Sequence, residues 1–140
     1  MSLTLEKANQ IVSVALQRAT EAGYKPMAVV VLDEAGHIRS VQRQDGATMF
    51  RVDIAAGKAW ASVAMGAASR VLTQRAKELP AFFSALASTG QGKFIPQTGA
   101  VLIKDSTGAI LGAVGASGGT GDEDEEVCTS GVTAVGLHAG

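Results

Sequence analysis

Leu5, Ala8, Ile11, Val12, Ala15, Leu16 and Ala19 recur at the three- and four-residue spacing of one helix face, with Thr4 placed to cap the start and Gly23 to end the helix. Met27 to Leu32 is an unbroken apolar run, short enough for a buried strand. Asp33-Glu-Ala-Gly36 supplies a turn, and His37 to Arg43 alternates Ile38, Ser40 and Gln42 against Arg39, Val41 and Arg43. The two runs predict an antiparallel hairpin, broken at Asp45-Gly46. From Phe50 to Ala68 the pattern is helical but not amphipathic. Ile54 to Ser69 is mostly Ala, Gly, Ser, Val and Met, with Trp60 and a single charge, Lys58. A helix apolar on all sides is buried on several sides, and small residues let a neighbour approach closely. This helix therefore belongs at the centre of the fold or at a subunit contact.

Shorter helices are predicted over Arg70 to Lys77 and Pro80 to Ala87, the second with proline at a favourable first position. A second hairpin joins Ala100–Lys104 to Ala109–Gly115 around Asp105-Ser-Thr-Gly108. A Ser117–Thr120 loop then leads into a closing helix, Asp122 to Leu137. Two hairpins separated by helices imply an antiparallel sheet covered by helices, an α+β fold, and no linker or repeat divides residues 1–140 into more than one domain.

Composition narrows the function. At 140 residues the chain can bury roughly two-thirds of its unfolded surface in one core. Hydrophobic residues make up 46% of it, which excludes disorder. Twelve basic residues balance thirteen acidic ones with no basic stripe, so neither nucleic acid nor an anionic membrane surface has an electrostatic reason to bind. No segment reaches the eighteen or so apolar residues of a membrane span. Glu6 and Lys7 interrupt the place where an export signal would need an apolar run. The single Cys128 suits a reducing compartment, and the expectation is a cytoplasmic protein.

Chemistry concentrates after the second hairpin. Gly115-Ala-Ser-Gly-Gly119 fits G-x-S-x-G, but a nucleophile elbow needs a parallel sheet and a well-anchored histidine, and His138 stands two residues from the C-terminus where chains fray. The same glycines can cradle a carbonyl or carboxylate on bare backbone N–H groups. Asp122 to Glu126, five acids in a row, complement a helix N-terminus and offer carboxylates to a ligand. Lys58, alone on its apolar helix, must either stretch to water or be held by a partner, and Asp45 in the preceding loop is a candidate counter-ion. His37, following a turn glycine, reads as a solvated histidine. Cys128 reads as a packing residue, and neither histidine lies at metal-site spacing from it.

Several segments together carry a resemblance over nearly the whole chain. These are Leu3-Thr-Leu-Glu6, Val30-Val-Leu-Asp-Glu-Ala-Gly-His37, Gln44-Asp-Gly46, Lys58-Ala-Trp-Ala-Ser62, and Gly115-Ala-Ser-Gly-Gly-Thr120 with Asp124-Glu125. The order and spacing resemble the GlcG/HbpS family of haem-degrading or haem-binding proteins, which includes the C-terminal domain of PduO-type cobalamin adenosyltransferases. The resemblance implies a profilin-like α/β/α domain, a five-stranded antiparallel sheet flanked by helices, and dimers or larger homo-oligomers. It also implies haem as the cofactor to consider, although some relatives use a first-helix histidine and Thr4 to Glu21 holds none. Iron would then need His37, Tyr24, Cys128, a methionine or a hydroxyl oxygen.

The leading expectation is a small-ligand binding protein, with haem or another tetrapyrrole as candidate. Its ligand would sit among Asp45, Gly46, Lys58, Ser117, Gly118, Gly119 and Thr120. An alternative is a cofactor-free enzyme acting on a small carbonyl or hydroxy acid, with Lys58, Asp124 and Glu125 as its catalytic groups. A third reading, a structural or interaction module, requires Lys58 to project into solvent.

Overall fold

The computed structural model describes residues 2–140. Helix α1 (Leu5–Ala22) begins where the Thr4 hydroxyl accepts from the Lys7 N–H and ends at Gly23, whose left-handed φ of 73° turns the chain. Strands β1 (Ala28–Asp33) and β2 (Ile38–Arg43) form the first hairpin. Helices α2 (Phe50–Met65), α3 (Ser69–Glu78) and α4 (Pro80–Thr89) follow, then β3 (Ala100–Lys104) and β4 (Ile110–Ser117). Helix α5 (Gly121–Ala134) and the two-residue strand β5 (His138–Ala139) close the chain. The five strands pair antiparallel in the order β2-β1-β4-β3-β5.

The sheet separates two helical layers, and strand alternation determines which side chain faces which layer. Val29, Val31, Val101, Ile103, Val114 and Ala116 face α1 and α5, where they pack with Ile11, Val12, Val127 and Val132. Val30, Leu32, Leu102 and Ala113 face α2 and meet Ala55 and Ala59. Strand β1 is covered on both faces, which is why its sequence reads as a continuous apolar run. On the outer side of α2, Ala61 packs with Leu72, Phe83 and Phe94. None of the described helices is long and apolar enough to cross a membrane.

Two departures from the sequence reading have simple causes. Helix α2 stops at Met65 rather than Ala68 because Gly66 takes a left-handed φ of 66°. The closing helix ends at Ala134, and His138 lies in β5 instead of a frayed tail. Gly140 extends that edge, its carbonyl accepting from Leu102 N–H at 2.9 Å and its N–H donating to Leu102 O at 3.2 Å.

Helix α2 lies close on the sheet because residue 115 has no side chain. A Cβ there would drive into the Ala55 carbonyl and sit 3.2 Å from the Ala59 methyl. Gly115→Ala is expected to lower unfolding free energy by about 1–3 kcal/mol, the usual cost of overpacking, measured by urea denaturation.

The hairpin turns are held by carboxylates. Asp33 Oδ1 accepts from the N–H groups of His37 and Ala35, both at 3.0 Å. Asp105 Oδ1 accepts from the Thr107 hydroxyl at 2.7 Å and from the Thr107 and Ala109 N–H groups. These bonds hold both carboxyls below their ordinary range, the His37 N–H contributing most for Asp33 and the Thr107 hydroxyl most for Asp105. A folded-state value below the unfolded one gives stability that is present above about pH 4 and is lost as pH falls through the folded value. Acid titration of the denaturation midpoint should therefore show a steeper loss below about pH 4 in the wild type than in Asp33→Asn/Asp105→Asn.

Candidate functional site

Two clefts open on different faces of α2, and the first contains most of the residues singled out in the sequence. Lys58 does not stretch to water: it is 6% exposed, and its Nζ donates to Asp124 Oδ2 and to the Ala116 carbonyl, each at 3.1 Å. Its counter-ion is therefore Asp124 on α5, not Asp45. Asp124, 2% exposed, also accepts from the Gly119 N–H through Oδ1 at 2.9 Å. Burial pushes this carboxyl above its ordinary range, opposed by the Lys58 ammonium and the Gly119 N–H.

The pair passes beside Gly99, whose φ of 136° and missing side chain are both required. A Cβ there would sit 2.7 Å from Lys58 Nζ and 3.0 Å from Asp124 Cβ. The cleft over the pair has a volume of about 470 Å³ and is lined by Arg51, Ser117, Gly119 and Thr120 as well as Lys58 and Asp124. Arg51 Nη1 donates to Ser117 Oγ at 3.3 Å. Ser117 stands at the end of an antiparallel strand with an arginine, not a histidine, as its partner, which is not a nucleophile elbow.

The acidic run is divided among separate partners, four of its five members making tertiary contacts and one a local cap. Asp122 and Glu125 both bind Arg70. Glu123 closes a capping box with Thr120. Glu126 accepts from the Tyr24 hydroxyl and from Arg18, which hold its carboxyl low, the tyrosine contributing most. Glu125 is thus taken by Arg70 and does not line the cleft over Lys58. Asp45 lines a separate cleft between α1 and the end of β2, and Gly46, at φ 88°, lies against Pro26 beside it. Gly118 packs on the backbone of Pro26 and Met27, where any Cβ would collide. Lys58, Ser117, Gly119, Thr120 and Asp124 come together; Asp45, Gly46 and Glu125 do not join them. Sequence reasoning missed Arg51, whose position in an ordinary first helical turn carries no signal, and Gly99, one glycine among seventeen.

The second cleft, about 560 Å³, lies on the face of α2 that carries Asp53, Ala56, Gly57 and Trp60. Leu32, Ile38 and Trp60 give it an apolar lining, with His37 and Lys93 also at its wall. Two glycines permit close packing at its walls, Gly36 against Trp60 and Gly57 against Ile95. A Cβ at Gly36 would sit 3.2 Å from the Trp60 indole, and one at Gly57 would sit 2.5 Å from Ile95. His37 is exposed, as expected of a turn histidine, but the turn presents it to a cleft.

A family model described as haem degrading protein HbpS-like matches residues 3–133. The chain belongs to the HbpS-like family. The crystal structure of a PduOC:haem complex superposes on this HbpS-like chain with a TM-score of 0.87 at 26% identity, covering 98% of this chain and 97% of that one. A double mutant of HbpS from Streptomyces reticuli gives a TM-score of 0.83 at 26% identity, over 96% and 88% of the two chains. The corrinoid adenosyltransferase PduO of Citrobacter freundii is 28% identical over 138 residues, 99% of this chain but 40% of that protein. The HbpS-like chain therefore spans well under half of this curated relative.

Breaking the buried pair has a definite expected cost. Lys58→Met or Asp124→Leu alone should each destabilise the fold by about 3–5 kcal/mol, because each leaves its partner as an uncompensated buried charge. The double replacement should be markedly less harmful than the sum of the two, as read from a double-mutant cycle in chemical denaturation.

Proposed function

We propose that this HbpS-like chain binds haem, or a related tetrapyrrole with carboxylate arms, in the cleft beside His37. The carrying observation is an imidazole placed at an apolar cleft, on a chain that superposes throughout on a haem-complexed relative. The other donors fit iron poorly. Cys128 is fully buried and burial pushes its thiol far up, so it stays protonated. The Tyr24 hydroxyl is committed to Glu126, Met27 is fully buried, Met65 packs against the Leu72 and Phe83 cluster, and the exposed Met49 lies outside the lining of this cleft. His138 lies on the edge strand.

His37 meets the need for a nitrogen donor. Trp60 and Ile38 offer apolar walls for a macrocycle, and the Lys93 ammonium offers a partner for a propionate, with Asp53 as the carboxylate in the lining. The cleft volume falls within the range of about 300–1,000 Å³ usual for small-molecule sites. Bound haem would supply an iron centre for redox chemistry or ligand exchange. The residues here orient it, exclude water from one face and neutralise an arm. The reading of the chain as a structural module loses its premise, since Lys58 is buried and paired. Self-association belongs to the proposal as well: Met49 and Phe50 at the start of α2, and Leu79 and Phe82 around the start of α4, are exposed apolar side chains of the kind subunit contacts cover.

The test is a haemin titration followed at the Soret band beside a non-binding control protein. The expected result is a saturable shift of one haem per chain, weakened at least tenfold in His37→Ala (about 1.4 kcal/mol per tenfold). A titration indistinguishable from the control would reject haem binding, and an undiminished one in the variant would reject His37 as its ligand.

A further inference from the structure

The haem cleft uses one face of α2 and leaves the cleft over the Lys58–Asp124 pair without a role. Its charge is unusual. Among the described residues Arg51 makes no ion pair, and its one side-chain hydrogen bond goes to Ser117. The nearby carboxylates are already committed: Asp124 to Lys58 and the Gly119 N–H, Glu123 to the Thr120 N–H, Asp122 and Glu125 to Arg70. A half-buried guanidinium with most of its N–H donors free is a planar fork suited to a carboxylate or phosphate. Asp122 and Asp124 also line this cleft, and their charges disfavour a doubly charged phosphate more than a singly charged carboxylate.

Two more donors stand next to the fork. Ser117 Oγ accepts from Arg51, so its own proton is available to a ligand. Lys58 Nζ has three protons and two protein acceptors, and it borders the same cleft. We infer that this cleft is a second site, for a small carboxylate bearing an oxygen on the adjacent carbon, a 2-oxo or 2-hydroxy acid. Arg51 grips the carboxylate, and Ser117 with the remaining Lys58 proton meets the second oxygen. The buried Asp124 beneath keeps the Lys58 ammonium in place, so Asp124 is a positioning residue. This site does not rest on the haem reading, since Arg51, Ile54 and Lys58 lie on a different face of the helix from Asp53, Ala56, Gly57 and Trp60.

The test is amide NMR of the uniformly labelled chain titrated with pyruvate and, separately, with its uncharged methyl ester. Pyruvate should give saturable shifts at the amides of Ser117, Gly118 and Gly119, the ester should give none, and Arg51→Gln should weaken pyruvate binding at least tenfold. The same variant should titrate with haemin as the wild type does, which separates failure of this site from failure of the haem cleft. No saturable shift with pyruvate, equal shifts with the ester, or unchanged affinity in Arg51→Gln would each overturn the assignment. Should Arg51→Gln fail to fold, the comparison of pyruvate with its ester on the wild-type chain decides alone.

Discussion

The buried ion pair between Lys58 and Asp124 is the constraint around which this end of the molecule is built. One member comes from the helix on one face of the sheet and the other from a helix on the opposite face, and they meet at the C-terminal end of β4. Removing two charges from water costs several kcal/mol per ion, returned only where the geometry is good and the remaining polar atoms are satisfied. Here the Ala116 carbonyl and the Gly119 N–H supply those contacts, one to each partner. The pair is thus better understood as fixing the relative position of two layers than as a net source of stability. Gly99 has to be a glycine for the same reason, since the space its side chain would take is the space the ammonium occupies.

From that clip follows the shape of α2. A helix held both by a buried charge and by close contact at Gly115 needs small residues on the face that touches the sheet, and Ala55 and Ala59 provide them. Small residues leave concave surface where larger neighbours project beyond them. Trp60 and Ile38 frame one such concavity, and Arg51 and Ser117 frame the other. The difference in chemistry between the two clefts, one walled by an indole and the other by charged and hydroxyl groups, is a consequence of helical spacing along a single segment.

Much of this was legible in the sequence where a physical signal repeats. The face of α1, the doubly buried β1 and both Asp-containing turns follow from periodicity and turn chemistry, and the family was carried by ordered segments along the chain. Strand β5 was not legible, because two residues cannot show a period of two. The partner of Lys58 was missed because sequence proximity favoured Asp45, whereas the sheet brings Asp124 beneath it from 66 residues away. The acidic run was read as a unit, complementing the helix dipole or offering carboxylates to a ligand. Its members instead have four separate destinations, Arg70, Thr120, Lys58 and the Tyr24–Arg18 pair, and a run of like residues carries no mark of such a division.

Whether two clefts on one helix act together depends on whether that helix has two positions available. Communication through a packed segment requires an element with two discrete arrangements that both sites bias. Sliding α2 along the sheet would bring Ala55 and Ala59 against different β4 side chains where only Gly115 leaves room, and would pull Lys58 from Asp124 with both charges buried. Each change carries a cost of kcal/mol size, and a close-packed interior does not deform gradually to avoid it. Helix α2 therefore has one seat, and the two proposed sites, at His37 and at Arg51, would act independently. What would distinguish their ligands is the side chains at the two rims rather than movement of the helix between them.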